Sequence, residues 1–299
     1  MRGAARLRRL LLGTRHPGEF VCIPFSGGPM VRFSTGGGEW RDVSEAHRFI
    51  GYAPMLLVLP DRGERGVLFV GGEGSSGERW EGEPVPNGAT GMIAVRRHSG
   101  FSAGEALYVG IRGEERMLRG WRRVGARVGE RLAERDAAIP LDANAQCQIR
   151  VAYSVPRVIA LATVATGAGV NRFPTDLHGA DGAAGYVVSL RVGSRSGEQV
   201  RAAGGLLLSH PPFSAAKAVY AMGRNHMREG GERSGREVAS PRHGLPFPDG
   251  SVGWMELALK ETMPPVGIHL LHRFEILGAG GAAPELAHIH RQAAITSAR

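Results

Sequence analysis

A chain of 299 residues, 42% of them hydrophobic, is long enough to form two domains that each bury a core. A formal net charge of +9 favours an anionic ligand, but only 6% of residues are aromatic, the basic excess is arginine dispersed among Glu and Gly, and no RNP-like or zinc-finger spacing occurs, which argues against nucleic acid. No apolar run approaches the roughly 20 residues of a membrane helix, and Cys22 and Cys147 are too few and too far apart for a disulfide framework or a cysteine-based zinc site, so a cytoplasmic location fits.

Residues 1–13, MRGAARLRRLLLG, carry a basic region, a short apolar patch and no A-x-A-like cleavage site, and read as a basic tail. Residues 14–110 form a β-rich region. FVCIPF, MVRFS, APMLLVLP, RGVLFVGG, TGMIAVRR and EALYVGIR each have strand length and are bounded by Gly, Pro, Asp or Ser. WRDVSEAHRFIGY is expected to be a short helix, and Gly71–Gly88 has the composition of a loop. A connecting helix is expected within 111–140, from about Glu114 to Ala138, because Met117, Trp121, Val124, Val128 and Leu132 recur at helical spacing before Pro140.

Residues 141–299 read as a second region. QCQIRVAYS, PRVIALATVAT, GYVVSLRV, GGLLLSH, WMELALKETM, VGIHLLHRFEILG and LAHIHRQA suggest strands, and PFSAAKAVYAMGRNHM suggests a helix. This many strands with one helix imply a closed or nearly closed antiparallel barrel. No internal repeat is evident in the residues.

The order of elements here resembles the flavin reductase-like, FMN-binding split barrels. Pro156–Thr166 matches the strand that begins near a proline, Gly167–Gly169 its turn, and Asn171–Thr175 an Asn-x-x-Pro-Ser/Thr-like loop. Tyr186–Arg191 matches a strand with a polar end, Ser194–Ser196 a hydroxyl-bearing segment, and Leu206–Ser209 a strand ending in a small polar residue. GIHLLHRFEILG is similar to the late strand, where a histidine precedes an alternating apolar run. The resemblance covers roughly Ala145–Ala293. It departs from the family at GADGAAG, at Ser209 where an Asn is usual, and in the Gly/Arg-rich insertion around 228–250.

The fold so implied is mainly β: an FMN-binding split β-barrel with flanking helices, preceded by a smaller β-rich region. The implied activity is hydride transfer from NADH or NADPH to flavin and on to another acceptor, in a homodimer that binds flavin and a nicotinamide nucleotide. The alternative is a non-catalytic, flavin-binding or degenerate barrel that serves a partner. The candidate cofactor-binding residues are Asn171, Arg172, Phe173, Pro174, Thr175, Asp176, Ser189, Arg191, Ser194, Arg195, Ser196, Ser209 and His269.

FMN presents a phosphate, a ribityl chain and a flat ring, so it is held by amides and hydroxyls at one end and apolar or polar edges at the other. In GSRSG, the hydroxyls, amides and guanidinium of Ser194, Arg195 and Ser196 suit the phosphate, although such a segment is also a common solvated turn. Thr175 and the amides of 172–178 suit the ribityl chain or ring edge. Asn171 serves a turn equally well, and Asp176 a cap. Tyr220 and Arg224, one helical turn apart, with Asn225 and His226, form either a pocket wall or an ordinary helix end.

The pairs His269/His272 and His288/His290 raise a metal site, but residues three apart on a strand face opposite ways, and no carboxylate or cysteine cluster completes a ligand set, so none is expected. There is no G-x-S-x-G, H-E-x-x-H, P-loop or clear G-x-G-x-x-G fingerprint. Hydride transfer to a flavin requires no such motif.

Overall fold

The computed structural model describes residues 20–117, 141–167, 169–224 and 236–290. They divide into two compact units, the first built chiefly on Gly28–Val155 and the second on Pro156–His288 with Cys22–Gly27. The basic tail at 1–13 and most of the expected connecting helix lie outside the described residues.

The first unit contains a seven-stranded antiparallel sheet. Its strands are β2 (Val31–Ser34), β3 (Arg41–Asp42), β4 (Arg48–Gly51), β5 (Leu56–Pro60), β6 (Arg65–Val70), β9 (Gly91–Gly100) and β10 (Glu105–Glu115), in the order β3-β2-β6-β9-β10-β5-β4. The two edge strands are consecutive in the chain and joined only by residues 43–47. Opposite edges can be joined by so short a link only if the sheet curls until they meet at one corner, which makes a barrel split along that seam. Val31, Phe33, Leu57, Leu59, Ile93, Val95 and Tyr108 fill its core.

Three expectations for this half need correction. WRDVSEAHRFIGY is not a helix: Asp42 accepts hydrogen bonds from the amide and hydroxyl of Ser44, turning the chain so that Val43 and Phe49 enter the barrel core. Gly71–Gly88 is not a loop but contains the hairpin β7 (Glu73–Trp80) and β8 (Glu83–Asn87). Glu81 and Gly82, at φ 50° and 85°, form the left-handed two-residue turn that suits strand twist, and Trp80 and Val85 pack over Phe69 and Met92 on the outer sheet face. Glu114 and Glu115, expected to begin a helix, close strand β10.

QCQIRVAYS, expected as a strand, is helical: α1 spans Ala143–Ala152. Asp142 caps it by accepting from the Ala145 amide at 2.6 Å, and Ile149, Val151 and Ala152 join the first unit's core. The units therefore divide at Val155–Pro156, and Leu141–Val155 packs with the first of them. A Cβ at Gly91 would lie 2.7 Å and 2.8 Å from the two Val151 methyls. Gly91→Ala is expected to lower stability by about 1–3 kcal/mol through overpacking, read as a fall in urea midpoint. Adding Val151→Ala should recover part of it; no recovery would mean that this contact is not the cause.

In the second unit, β12 (Ala160–Thr166), β13 (Gly169–Thr175), β14 (His178–Asp181), β15 (Gly185–Arg191), β16 (Gly205–His210), β19 (Gly253–Thr262) and β20 (His269–Gly281) form a sheet in the order β13-β12-β16-β19-β20-β15-β14. Again the edge strands are consecutive, here joined by residues 176–177 alone, so this sheet too is a curled split barrel. Helix α2 (Arg195–Ala203) sets Val200 into its core, and α3 (Ala216–Arg224) follows β16. A short sheet ordered β1-β21-β11 joins β1 (Phe20–Pro24), β11 (Arg157–Val158) and β21 (Leu286–His290). Within the 228–250 insertion, β17 (Glu237–Ala239) and β18 (Pro246–Pro248) form a hairpin whose Val238 and Phe247, with Leu245, pack over Leu207 and Trp254.

The two sheets have one strand order and one register, a repeat the sequence does not reveal. Arg65 pairs with Arg96 as Gly205 pairs with Ala258, and the Arg97 amide donates to Glu64 O as the Leu259 amide donates to Gly204 O. Both bulges recur in place. Ile111 is skipped between the Val95 and Ala94 pairings, as Leu277 is between those of Leu257 and Glu256; His98 is skipped as Lys260 is. Each unit also inserts a hairpin between its equivalent strands β6 and β9, or β16 and β19, and lays it on their outer face.

Candidate functional site

The predicted residues lie in the second unit, where the structure distributes them over several places. The first is the start of α2. Ser194 is its N-cap, with Oγ accepting from the Gly197 amide at 3.1 Å. Helix geometry leaves the Arg195 and Ser196 amides without intrahelical acceptors, at the positive end of the helix dipole. Asn171, on β13, donates through Nδ2 to Gln199 Oε1 at 2.7 Å and so ties the edge strand to this helix. Gln199 had no signal in the sequence beyond its helical position.

Behind that first turn sits His272, fully buried on β20. Its Nδ1 is 2.9 Å from the Thr262 hydroxyl, while its Nε2 has no hydrogen-bond partner among the described residues. A Cβ built on Gly197 would be 3.8 Å from that nitrogen. Burial, with a smaller contribution from Arg201, lowers the His272 pKa to about 4.

Ser189 and His269 form a second place, the serine hydroxyl lying 2.9 Å from His269 Nδ1 with both residues buried. Arg191, paired in register with His269, is exposed. His269 and His272 serve different partners, as alternation along a strand requires. Among the described residues no three His, Cys, Asp or Glu side chains gather as a metal-holding group.

Asn171–Thr175, expected as a loop, belongs to edge strand β13, where Pro174 is tolerated because an edge leaves half its amides outside the ladder. Phe173 packs on the barrel core. Arg172 is engaged in three directions: Nε to Thr163 Oγ1 (3.0 Å), Nη1 to Glu237 Oε1 (2.8 Å) and Nη2 to Pro246 O (2.6 Å). It fastens the β17–β18 hairpin to the barrel. Thr175 Oγ1 accepts from the Leu177 amide at 3.4 Å.

Asp176 belongs to a further cluster. Its carbonyl accepts from Arg157 at 2.8 Å, its carboxylate lies 3.4 Å from His288 Nδ1, and His288 Nε2 lies 3.4 Å from the Tyr220 hydroxyl. Burial and the Asp176 charge raise the nearby Cys22 thiol to about 11, so it stays protonated. His178 Nδ1 lies 2.7 Å from the Tyr186 hydroxyl and its Nε2 3.2 Å from Val158 O; burial lowers its pKa to about 4 and raises that of Tyr186. Ser209 is fully buried, and its hydroxyl has no partner among the described residues. Asn225, His226 and the side chains of Arg224 and His290 lie outside the described set.

No family model matches the chain, and no curated protein does. Solved structures that resemble it include an FMN-binding protein from Thermus thermophilus, 21% identical over 45% of this chain and 82% of that one, with a TM-score of 0.41. The flavin reductase of styrene monooxygenase from Pseudomonas putida S12 is 17% identical over 48% and 93%, at 0.40. An NADH:FAD oxidoreductase from Streptomyces globisporus is 14% identical over 52% and 95%, at 0.44. The likeness is one of fold, a mainly β chain with curled half-barrel sheets, over about half the chain.

Proposed function

We propose that the second unit binds FMN and that the protein is an oxidoreductase of the flavin reductase type, taking hydride from NADH or NADPH for delivery to a further acceptor. The observation that carries this reading is the first turn of α2. Ser194 caps the helix, the Arg195 and Ser196 amides lack intrahelical acceptors, and the arginine and serine side chains add a cation and a hydroxyl for a phosphate. These groups fit the anionic end of FMN. Bound flavin supplies a two-electron hydride acceptor; the chain supplies binding and placement. Arg172 and Asp176, committed to internal partners, position the edge strand in this reading rather than touch the cofactor.

The test is an anaerobic visible spectrum of the protein with FMN, followed by NADPH or NADH. A flavin band perturbed by the protein and then bleached faster than free FMN is the expected result. Perturbation without accelerated bleaching would favour the non-catalytic flavin-binding module, and no perturbation at all would exclude the FMN reading. Ser194→Ala is expected to weaken FMN binding several-fold and to lower stability by about 1 kcal/mol through loss of the cap, checked by fluorescence titration beside urea unfolding. Unchanged affinity in a destabilised variant would separate the cap from the ligand.

A further inference from the structure

We propose that the chain is a fused duplication of one split-barrel unit in which ligand binding is confined to the second copy, so that each chain takes up one equivalent of flavin; the ligand's identity rests on the reading above. The matching strand order, register and pair of bulges make each unit a control for the other. Features present in both serve the fold.

Hairpin fastening is such a feature. Trp40, which precedes Arg41 as Arg172 precedes Phe173, donates through Nε1 to Pro84 O, as Arg172 donates to Pro246 O. Ser34, equivalent to Thr163 through the pairings Ser34–Val67 and Thr163–Leu207, reaches the hairpin carboxylate of Glu83. These roles persist although the residues differ.

The candidate ligand groups behave otherwise. Between β15 and β16 the chain forms α2 with its Ser194 cap; between β5 and β6 it has only the turn of residues 61–64. Following the shared registers, Ser189 corresponds to Pro60, Ser209 to Phe69 and His272 to Ala106. The first unit thus shows that the barrel forms without a hydroxyl or an imidazole at these positions. In the second unit Ser209 Oγ and His272 Nε2 are buried without a partner among the described residues, an arrangement that burdens the fold. His272 Nε2 lies behind the first turn of α2, 3.8 Å from where a Cβ on Gly197 would stand. A capped helix start backed by a fully buried imidazole nitrogen without a partner among the described residues occurs in the second copy and has no equivalent in the first, and this marks the second copy as the ligand-binding one.

Equilibrium dialysis of the full chain against FMN tests this. One equivalent per chain is expected, with at least tenfold weaker binding in an Arg195→Gln/Ser196→Ala variant and unchanged binding in Arg62→Gln, which alters the equivalent connection of the first unit. Saturation at two equivalents, saturation at half an equivalent, or an equal loss in Arg62→Gln would overturn the assignment to the second copy while leaving flavin binding intact. No FMN uptake by the unaltered chain would remove the flavin reading, and this inference with it.

Discussion

Replacing Arg172 with alanine is expected to destabilise the second unit by about 3 kcal/mol, the effect of removing one partner from a largely buried ion pair. Its guanidinium joins three elements: Thr163 on β12, Glu237 on β17 and the Pro246 carbonyl on β18. Only 13% of the Arg172 side chain and 22% of that of Glu237 are exposed, so water replaces these bonds poorly. Urea unfolding should show the midpoint falling, and hydrogen exchange should show protection lost first across 237–248. Arg172→Lys should rescue little, because an ammonium cannot form the same fork. FMN affinity changing in proportion to stability agrees with a positioning role; a selective loss of affinity at unchanged stability would make Arg172 a direct ligand.

Acid should weaken the second unit between about pH 6.5 and pH 4. His178 and His272 have pKa values of about 4, lowered mainly by burial, against an ordinary value of 6.5. The unfolded chain therefore takes up protons first as the pH falls, and stability decreases through that window by up to about 1.4 kcal/mol per pH unit for each histidine. The loss is complete below the folded values and absent above 6.5. His272→Gln should flatten the dependence by about half relative to the unaltered chain. Melting temperatures at pH 7, 5.5 and 4.5 for both proteins measure it; parallel curves would show that His272 does not titrate as its burial requires.

Much of the strand content was legible because short apolar runs between Gly, Pro and Asp have few other solutions. APMLLVLP yields β5, RGVLFVGG β6 and VGIHLLHRFEILG β20, each with alternate residues in a core. The start of α2 was not legible: GSRSG reads locally as a Gly-flanked turn, and it is the packing of Val200 into the barrel core that continues it as a helix. What failed was decided by distant partners. Nothing local distinguishes the Gly71–Gly88 hairpin from a loop until Trp80 and Val85 meet Phe69 and Met92. Arg172 reads as a cofactor contact until Glu237 and Pro246 arrive from far along the chain.

The repeat shows most clearly where sequence reasoning stops. Val58 and Val187, Leu68 and Leu208, and Gly91 and Gly253 are identical pairs, but Phe33 answers to Ala162, Arg65 to Gly205 and Ala106 to His272. A barrel interior requires apolar volume and a period of two, which many residue pairs satisfy, so side-chain identity drifts while register and bulges persist. The sequence by itself determined a mainly β chain with two core-forming regions and an anion-suited turn at Ser194–Ser196. Only the tertiary structure decided that both regions are one split barrel built twice, because hydrogen-bond register between strands far apart in sequence leaves no mark in either strand alone.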